Sequence, residues 1–492
     1  LSAITTSTIS IVGLAARKAS MSRVSEGIAE VFQANDCAVQ RSYGTLPVST
    51  ECQIYQSFRG NRRWFAAPRP LVALMRAMVA SSILNSGGGT HVAKIIAMPA
   101  SEVSRLESWC ATRRITEVEC MIPDLAGVAR GKILPVRKFL DGLGRGAHHL
   151  PESIFVQTVT GEYPNVEDVV PIADRDVVLL PDPASIRVVP WYEEPTAQVI
   201  CDCFYPDGSR VDIYTREVLR RVLALYHARG LTPVVAPELE FYLVDINRDP
   251  NTPLKPPIGR NGRPETARQS YGIDAVNEFD PVFEDVYDFC EAQALDIDTL
   301  NHEAGAAQIE INFMHGDALE LADQVFLFKR TVRQTAFRHD IYATFMASPM
   351  QDEPGSSMHI HQNLVCTKKE SNLFSDKDGN NTKEFLYYIG GLQTYLPDAM
   401  LLFAPYVNSY RRFVIDASAP INTHWGIENR TVAFRVPTSQ SNSRRIENRI
   451  PGADTNPYLA IGCSVTADAC SGLRQNEMKS VWLLRTARYS AK

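Results

Sequence analysis

Several things are missing from this 492-residue chain, and each absence removes a class of function. No stretch reaches the roughly 18 apolar residues of a membrane span; the best candidate, 71–84, is short and interrupted by Arg76. The ten cysteines contain no CxxC pair, so they read as reduced, mostly buried thiols and not as a disulfide framework. Neither HExxH nor a His-rich zinc pattern occurs, which argues against a zinc hydrolase. Basic charge is not in excess: 50 Lys and Arg stand against 56 Asp and Glu, a formal charge of −6, so no nucleic-acid footprint is expected. No internal repeat is visible. What is present, 45% hydrophobic and 22% charged residues, can bury a core. The length suggests about two or three domains. Thiol usage and the lack of a convincing secretory signal make a cytoplasmic location the expectation.

The chain divides by texture. Residues 1–25 contain no Asp or Glu and are rich in Ser and Thr, a weak transit-peptide signature. With the aperiodic stretch to the Gly87-Gly88-Gly89 break, 1–97 reads as an extension, poorly ordered or foreign to the mature protein. From 98 to 205 the pattern is that of a small sheet-rich domain. A helix is expected over 101–113 and strands over 115–121, 128–135, 153–160, 176–180 and 197–204. An amphipathic helix over 215–229, stopped by Gly230, opens a larger domain over 206–492. There, strands at 234–244, 307–313, 357–364 and 431–436 alternate with helices at 281–294, 317–340, 382–403 and 456–471. The Pro-rich segment 246–278 reads as a long loop, and loops of that length are usually functional or disordered.

The chemistry concentrates on strands. Pro237-Glu238-Leu239-Glu240-Phe241 sets two carboxylates two residues apart, so both leave one face. Glu303 and Glu310 bracket a small-residue turn. His359-Ile360-His361 repeats the spacing of two, and Glu447 follows between arginines. A single Glu on a strand is usually solvated. Five carboxylates set among apolar residues would repel one another when buried, and divalent cations are the simplest remedy. Oxygen-rich ligation with imidazole suits Mg2+ or Mn2+. Arginines are interleaved with these acids: Arg411, Arg412, Arg430, Arg435, Arg445 and Arg449. Guanidinium forks bind phosphate and carboxylate bidentately, which suggests a phosphoanion and a carboxylate substrate in one cavity. Surface ion pairing accounts as well for Arg411 and Arg444, and less well for Arg435 inside an apolar strand.

In order along the chain stand Pro237–Phe241, Asn301-His-Glu-Ala-Gly-Ala-Ala-Gln-Ile-Glu310, Gly355-Ser-Ser-Met-His-Ile-His361, Asn429-Arg-Thr through Arg435-Val-Pro437, and Arg445-Ile-Glu-Asn-Arg449 running on to Asn456-Pro-Tyr-Leu459. Over about 98–471 the chain resembles the glutamine synthetase superfamily, and within it the branch that glutamylates putrescine and other polyamines. The resemblance implies an α+β fold: a small β-grasp-like N-terminal sheet domain and a large catalytic domain with a curved antiparallel sheet and outer helices. It implies one metal ion at Glu240, Glu303 and Glu310, and a second at Glu238, His359 and Glu447. It implies ATP phosphates at His361, Arg430 and Arg435, and glutamate at Gly355, Arg412 and Arg449, with Arg430 and Arg449 catalytic. ATP would be a co-substrate, and the product a γ-glutamylamine formed through γ-glutamyl phosphate. It also implies a homo-oligomeric ring with shared active sites. Small molecules are the expected partners; no nucleic acid or membrane is.

Departures from the ammonia-using members bear on the acceptor. Those enzymes carry a glutamate on a flap just before Ala-Pro; here Ser418 precedes Ala419-Pro420. Their small-domain aspartate has no counterpart in His149-Leu-Pro-Glu-Ser153, and Pro354 replaces an asparagine before Gly355. Losing acids weakens capture of ammonium, whereas a larger amine gains affinity from its carbon chain. An organic amine is therefore expected. Glutamine formation from ammonia, with Glu428 or Asp416 as base, and a non-catalytic structural relative are the alternatives. After Leu459 the likeness fades by about 471, and the chain reads as truncated at its C-terminus.

Overall fold

The computed structural model describes residues 96–469, except 165, 167, 168, 250 and 416. Nearly all of the extension expected over 1–97, and the chain end, lie outside the described residues. The fold is α+β. A six-stranded sheet comes first, and a ten-stranded sheet follows it.

Helix α1 (Ala100–Thr112) buries Leu106 and Cys110 and leads into β1 (Glu117–Pro123). β1 turns at 124–127 and pairs antiparallel with β2 (Ala129–Pro135). Asp124 makes that turn: its buried carboxylate accepts from the Ala126 and Val128 amides and from Arg130. After α2 (Val136–Leu143) come β3 (His149–Pro151), β4 (Asp176–Pro181), β5 (Arg187–Val189) and β6 (Thr196–Phe204). The order is β2-β1-β6-β4-β3, with β5 on β6 and β1 parallel to β6.

The strand expected over 153–160 does not form. Glu152–Val156 is a 3-10 turn. Phe155 and Val156 are both buried in it. Ser153 is tied instead to Asp174 through both its amide and its hydroxyl.

Helix α3 (Thr215–His227) buries Val218, Leu219, Val222 and Tyr226 and ends at Gly230, whose φ of +70° only glycine adopts freely. The long strand β7 (Leu231–Asp245) follows. The described residues of 246–272 are largely irregular, but the loop expected over 246–278 is shorter than its proline content suggests, because α4 (Ile273–Asn277) forms within it. Then come α5 (Asp280–Ala292), β8 (Ile297–His302), β9 (Gln308–Phe313), β10 (Gly316–Asp317), α6 (Ala318–Arg338), β11 (Ile341–Thr344), β12 (Met358–Cys366), β13 (Ser371–Asn372) and α7 (Lys383–Phe403). The last elements are β14 (Trp425–Ile427), β15 (Phe434–Val436), β16 (Ile446–Asn448) and α8 (Pro457–Ala469). Asp317 caps α6 by accepting from the Leu319 and Glu320 amides. β15 is shorter than the run 431–436 because the Thr431 amide and hydroxyl both turn to the Asn429 side chain.

The large sheet runs β14-β15-β16-β12-β7-β9-β8, antiparallel except for β14 on β15. One face of it carries Leu239, Phe241, Ile309, Ile311, Met358, Ile360, Phe434 and Ile446 into a single core with α3, α5, α6, α7 and α8. The other face is left for polar side chains. Among the described residues, no helix is long and apolar enough to cross a membrane.

Candidate active site

Strand alternation sorts the sequence into core and site. Leu239 and Phe241 point to the helices, so Glu238, Glu240 and Tyr242 point the other way. The same parity puts Gln308, Glu310 and Asn312 of β9, His359 and His361 of β12, Arg435 of β15 and Glu447 of β16 on that face. Register does the rest. Glu238 lies opposite His359 and Asn312, Glu240 opposite Glu310, and Glu447 opposite both His361 and Arg435.

Two overlapping trios result. Ligand atoms of Glu238, Glu310 and His359 lie within 4.8 Å of one another, as do those of Glu238, His361 and Glu447. Glu238 is shared by both. Its carboxylate meets His359 Nδ1 at 3.2 Å and His361 Nε2 at 2.6 Å. Arg445 Nε donates to His361 Nδ1, so His361 presents its other nitrogen to Glu238 as a donor. Glu240 and Glu303 stand beside the trios: Glu240 is buried, and Glu303 is half-buried, accepting from Asn301 and the Ala304 amide.

The electrostatics are divided. Burial alone would raise Glu238, but hydrogen bonds from both histidines hold it well below the usual carboxylate range. Burial also opposes ionisation of Glu447, and the neighbouring imidazoles and the Arg449 guanidinium outweigh it, so its carboxyl is held below the usual range. Glu310 goes the other way. Burial, then repulsion from Glu238, Glu240, Glu303 and Glu447, pushes it up to about 9. Glu303 is raised by burial and by Glu240. Five acids thus crowd one volume with too few cations, a donor set that fits divalent ions held by oxygen and one imidazole.

The arginines form a rim to this face. Arg435 Nη1 donates to Glu447 at 2.7 Å and Nη2 to Glu428 at 2.9 Å, while Arg449 pairs with Glu447 from the other side. Arg412 is buried and donates to the Ile450 carbonyl and to Ser357 Oγ. The Nε groups of Arg412, Arg435 and Arg449 are buried with no partner among the described residues. Such orphaned donors suit an anion. Gly355 lies directly on Arg412: a Cβ there would meet Arg412 Cγ at 2.4 Å and the Ala347 carbonyl at 2.7 Å. Arg430 is exposed between β14 and β15, away from the trios' hydrogen bonds.

Of the alternative bases, Asp416 lies outside the described residues. Glu428 is exposed, and its hydrogen bonds from the Thr438 amide and Arg435 hold it down to about 2, so it is a poor proton acceptor near neutral pH. Glu152, in the stretch without the small-domain aspartate, is buried and taken up by Arg175 and Tyr205. Reasoning from sequence passed over Gln308 and Tyr242. Their signal was available: each lies two residues from a glutamate of the site and so shares its face.

Comparison with known proteins identifies the family. A family model described as glutamine synthetase, catalytic domain, matches residues 212–480. Gamma-glutamylputrescine synthetase of Escherichia coli (strain K12) is 36% identical over 367 residues, covering 73% of this chain and 76% of the relative. Glutamate–isopropylamine ligase of a Pseudomonas species is 28% identical over 74% of this chain and 79% of its own. The glutamine synthetase of Pyrococcus horikoshii is 31% identical over 72% and 74%. Among solved structures, ligand-free GmaS superposes with a TM-score of 0.62 at 26% identity, over 74% of this chain and 80% of that one. A glutamine synthase homolog shares the fold, with a TM-score of 0.63 at 20% identity over 73% and 82%. These relatives make the protein a carbon–nitrogen ligase. The chain belongs to the glutamine synthetase family, whose members use ATP, small-molecule substrates and divalent metal ions.

Proposed function

We propose that this ligase joins the γ-carboxyl of L-glutamate to the primary amine of putrescine or another organic amine. The observation that carries the reading is the convergence on one sheet face of five glutamates and two histidines, grouped by distance as Glu238, Glu310, His359 and as Glu238, His361, Glu447, beside three guanidiniums with unpartnered Nε groups among the described residues. In this reading Glu240, Glu303 and Glu310 hold one cation, Mg2+ or Mn2+, and Glu238, His359 and Glu447 a second. Bound there, the cations supply charge neutralisation for the transferring phosphoryl group. His361, Arg430 and Arg435 receive the ATP phosphates. Arg412, Arg449 and the Gly355 backbone orient glutamate, with Arg430 and Arg449 spreading charge as the reaction proceeds.

The γ-carboxylate attacks the γ-phosphorus of ATP and displaces ADP. The amine then attacks the acyl phosphate, expelling phosphate and losing a proton. Ser418 is exposed where ammonia enzymes carry a glutamate, and the Glu428 charge is committed to Arg435 and the Thr438 amide, so among the described residues neither position offers a free base for ammonium, which favours an amine with a carbon chain. The similarity to ligases named for putrescine and isopropylamine supports the same choice. The domain division at 98–205 and 206–492, a ring-shaped homo-oligomer and a cytoplasmic location belong to this proposal.

The test is ADP release from ATP, L-glutamate and Mg2+ with ammonia, putrescine, spermidine, ethanolamine or a monoamine as acceptor. Stimulation by one organic amine and little by ammonia is the expected outcome. Strong activity with ammonia would return the chain to glutamine formation, and a folded protein inactive with every acceptor would indicate a non-catalytic relative.

A further inference from the structure

Behind the trios, one amide touches parts of the site that no ligand list includes. Gln308 opens β9, lies opposite Tyr242 and is 1% exposed. Its Oε1 accepts from the Gly305 amide at 2.9 Å. Its Nε2 lies 3.1 Å from the Gly355 carbonyl, 3.2 Å from Glu240 Oε2 and 3.4 Å from Ser356 Oγ. The main chain closes the same turn: Gln308 donates to the Gly305 carbonyl, and the Glu303 amide donates to the Gln308 carbonyl.

Each contact has a consequence. Glu240 Oε2 accepts from both Gln308 and the Ser357 amide at 2.8 Å. That oxygen is saturated, so the carboxylate is fixed in rotation and its other oxygen is left for a cation. The Gly355 carbonyl is held by the same amide, and the preceding Pro354 carbonyl accepts from the Tyr242 hydroxyl at 2.7 Å. Tyr242 itself fits only because residue 305 is glycine: a Cβ there would lie 1.9 Å from its hydroxyl. One face of the Gln308 carboxamide therefore fixes the turn bearing Glu303, and its other end joins a carboxylate to the backbone that lies on Arg412.

We infer that Gln308 is a positioning residue that locks the Glu240 carboxylate to the Gly355 backbone, so that the cation and glutamate sites are held in one register. The inference rests on the roles given to Glu240 and Gly355 above. Gln308 touches neither substrate nor cation. It acts through two groups that do, and a side chain of equal size without the amide keeps the packing and loses the coupling.

The experiment uses Gln308→Met in the full chain. Mn2+ alone is titrated by electron paramagnetic resonance, and KM is measured separately for glutamate and ATP. Mn2+ affinity is expected to fall roughly tenfold or more, the scale of outer-shell effects at metal sites. The glutamate KM should rise by a similar factor, while the ATP KM and melting temperature barely change. Tyr242→Phe removes only the Pro354 contact, so it should raise the glutamate KM and leave Mn2+ binding alone. If Gln308→Met does not fold, Gln308→Asn, too short to reach both ends, is expected to show the same split.

Mn2+ affinity and glutamate KM both within about twofold of wild type would overturn the inference. So would a uniform loss in all three constants with a lowered melting temperature, which marks a merely structural role. Wild-type protein that binds no Mn2+ or does not use glutamate would overturn the underlying reading instead; an unaffected variant beside a competent wild type sinks only the role of Gln308.

Discussion

Two clusters of buried charge in this molecule look alike in composition and differ in completeness. Around Arg216, which is 2% exposed, every guanidinium nitrogen is bonded: Nε to Asp323, Nη1 to Asp202, and Nη2 to Asp182 and Asp323. Arg220 and Arg210 complete the shell against Asp202 and Glu217. This cluster ties β6 and the end of β4 to α3 and α6, and nothing in it asks for a further partner. Around Glu238 the account does not close. Five glutamates converge, one of them forced toward its neutral form, while three buried Nε donors lack acceptors among the described residues. Buried charge that is satisfied holds elements together. Buried charge that is left unsatisfied, with both signs in excess at different points, is where the proposed cations and anions would bind.

The largest effect expected is on the unsatisfied side. Glu238→Gln keeps the shape shared by both trios and removes the charge. Activity should fall by more than the roughly 100-fold upper range of outer-shell changes, with the circular dichroism spectrum unchanged. An active variant would mean the cluster is structural after all. On the satisfied side, Arg216→Met takes the cation from Asp182 and Asp323 and should cost about 3–5 kcal/mol in urea unfolding. The fraction still folded should keep its KM values, and a selective KM change would merge the two clusters into one.

Lys329 on α6 sharpens the contrast, because it is a buried cation whose hydrogen bond goes to the Thr455 carbonyl and not to an acid. Burial, then the charge of Arg333, lowers it from 10.5 to about 7. The unfolded chain keeps this proton up to about 10.5 and the folded chain releases it near 7, so between those values the unfolded state binds more protons. Stability from this group therefore rises with pH across that window. Lys329→Met should be more stable than wild type by on the order of a few kcal/mol at or below pH 7. The gap should close toward pH 10 in melting experiments, and a gap independent of pH would refute the assignment. The smallest effect is expected at Glu428→Gln. Its carboxylate is exposed and committed to Arg435 and Thr438, so the turnover rate should change by less than about threefold at neutral pH, since no strong acid–base contribution is lost. A collapse in rate would restore Glu428 as the base and ammonia as a credible acceptor.

How far the site was legible depends on the kind of signal. Glu238, Glu240, Glu310, His359 and His361 were readable because a strand's period of two announces a shared face, and their apolar neighbours show that the opposite face is covered. The helices over α3, α6 and α7 were readable for the matching reason, periodic apolar positions. Gln308 was harder. It sits in a conspicuous motif, yet a lone amide has no charge to betray it, and its worth depends on the 3.1–3.4 Å approach of a loop 47 residues away. The 3-10 turn at Glu152–Val156 was missed because alternation in five residues cannot be told from a turn whose polar groups find Arg175, Tyr205 and Asp174.

By itself, the sequence determined the composition of the site and the face each residue occupies, because parity along a strand is a local property of the backbone. It also carried the family likeness, since the motifs stand in order along the chain. Only the tertiary structure decided which residues meet. Antiparallel register set His361 and Arg435 on either side of Glu447, and the return of the chain through 352–357 brought Gly355 onto Arg412 and Gln308. The difference lies in sequence separation: local geometry follows from neighbouring residues, but the distance between Glu238 and His359 is set by the packing of the whole sheet against its helices.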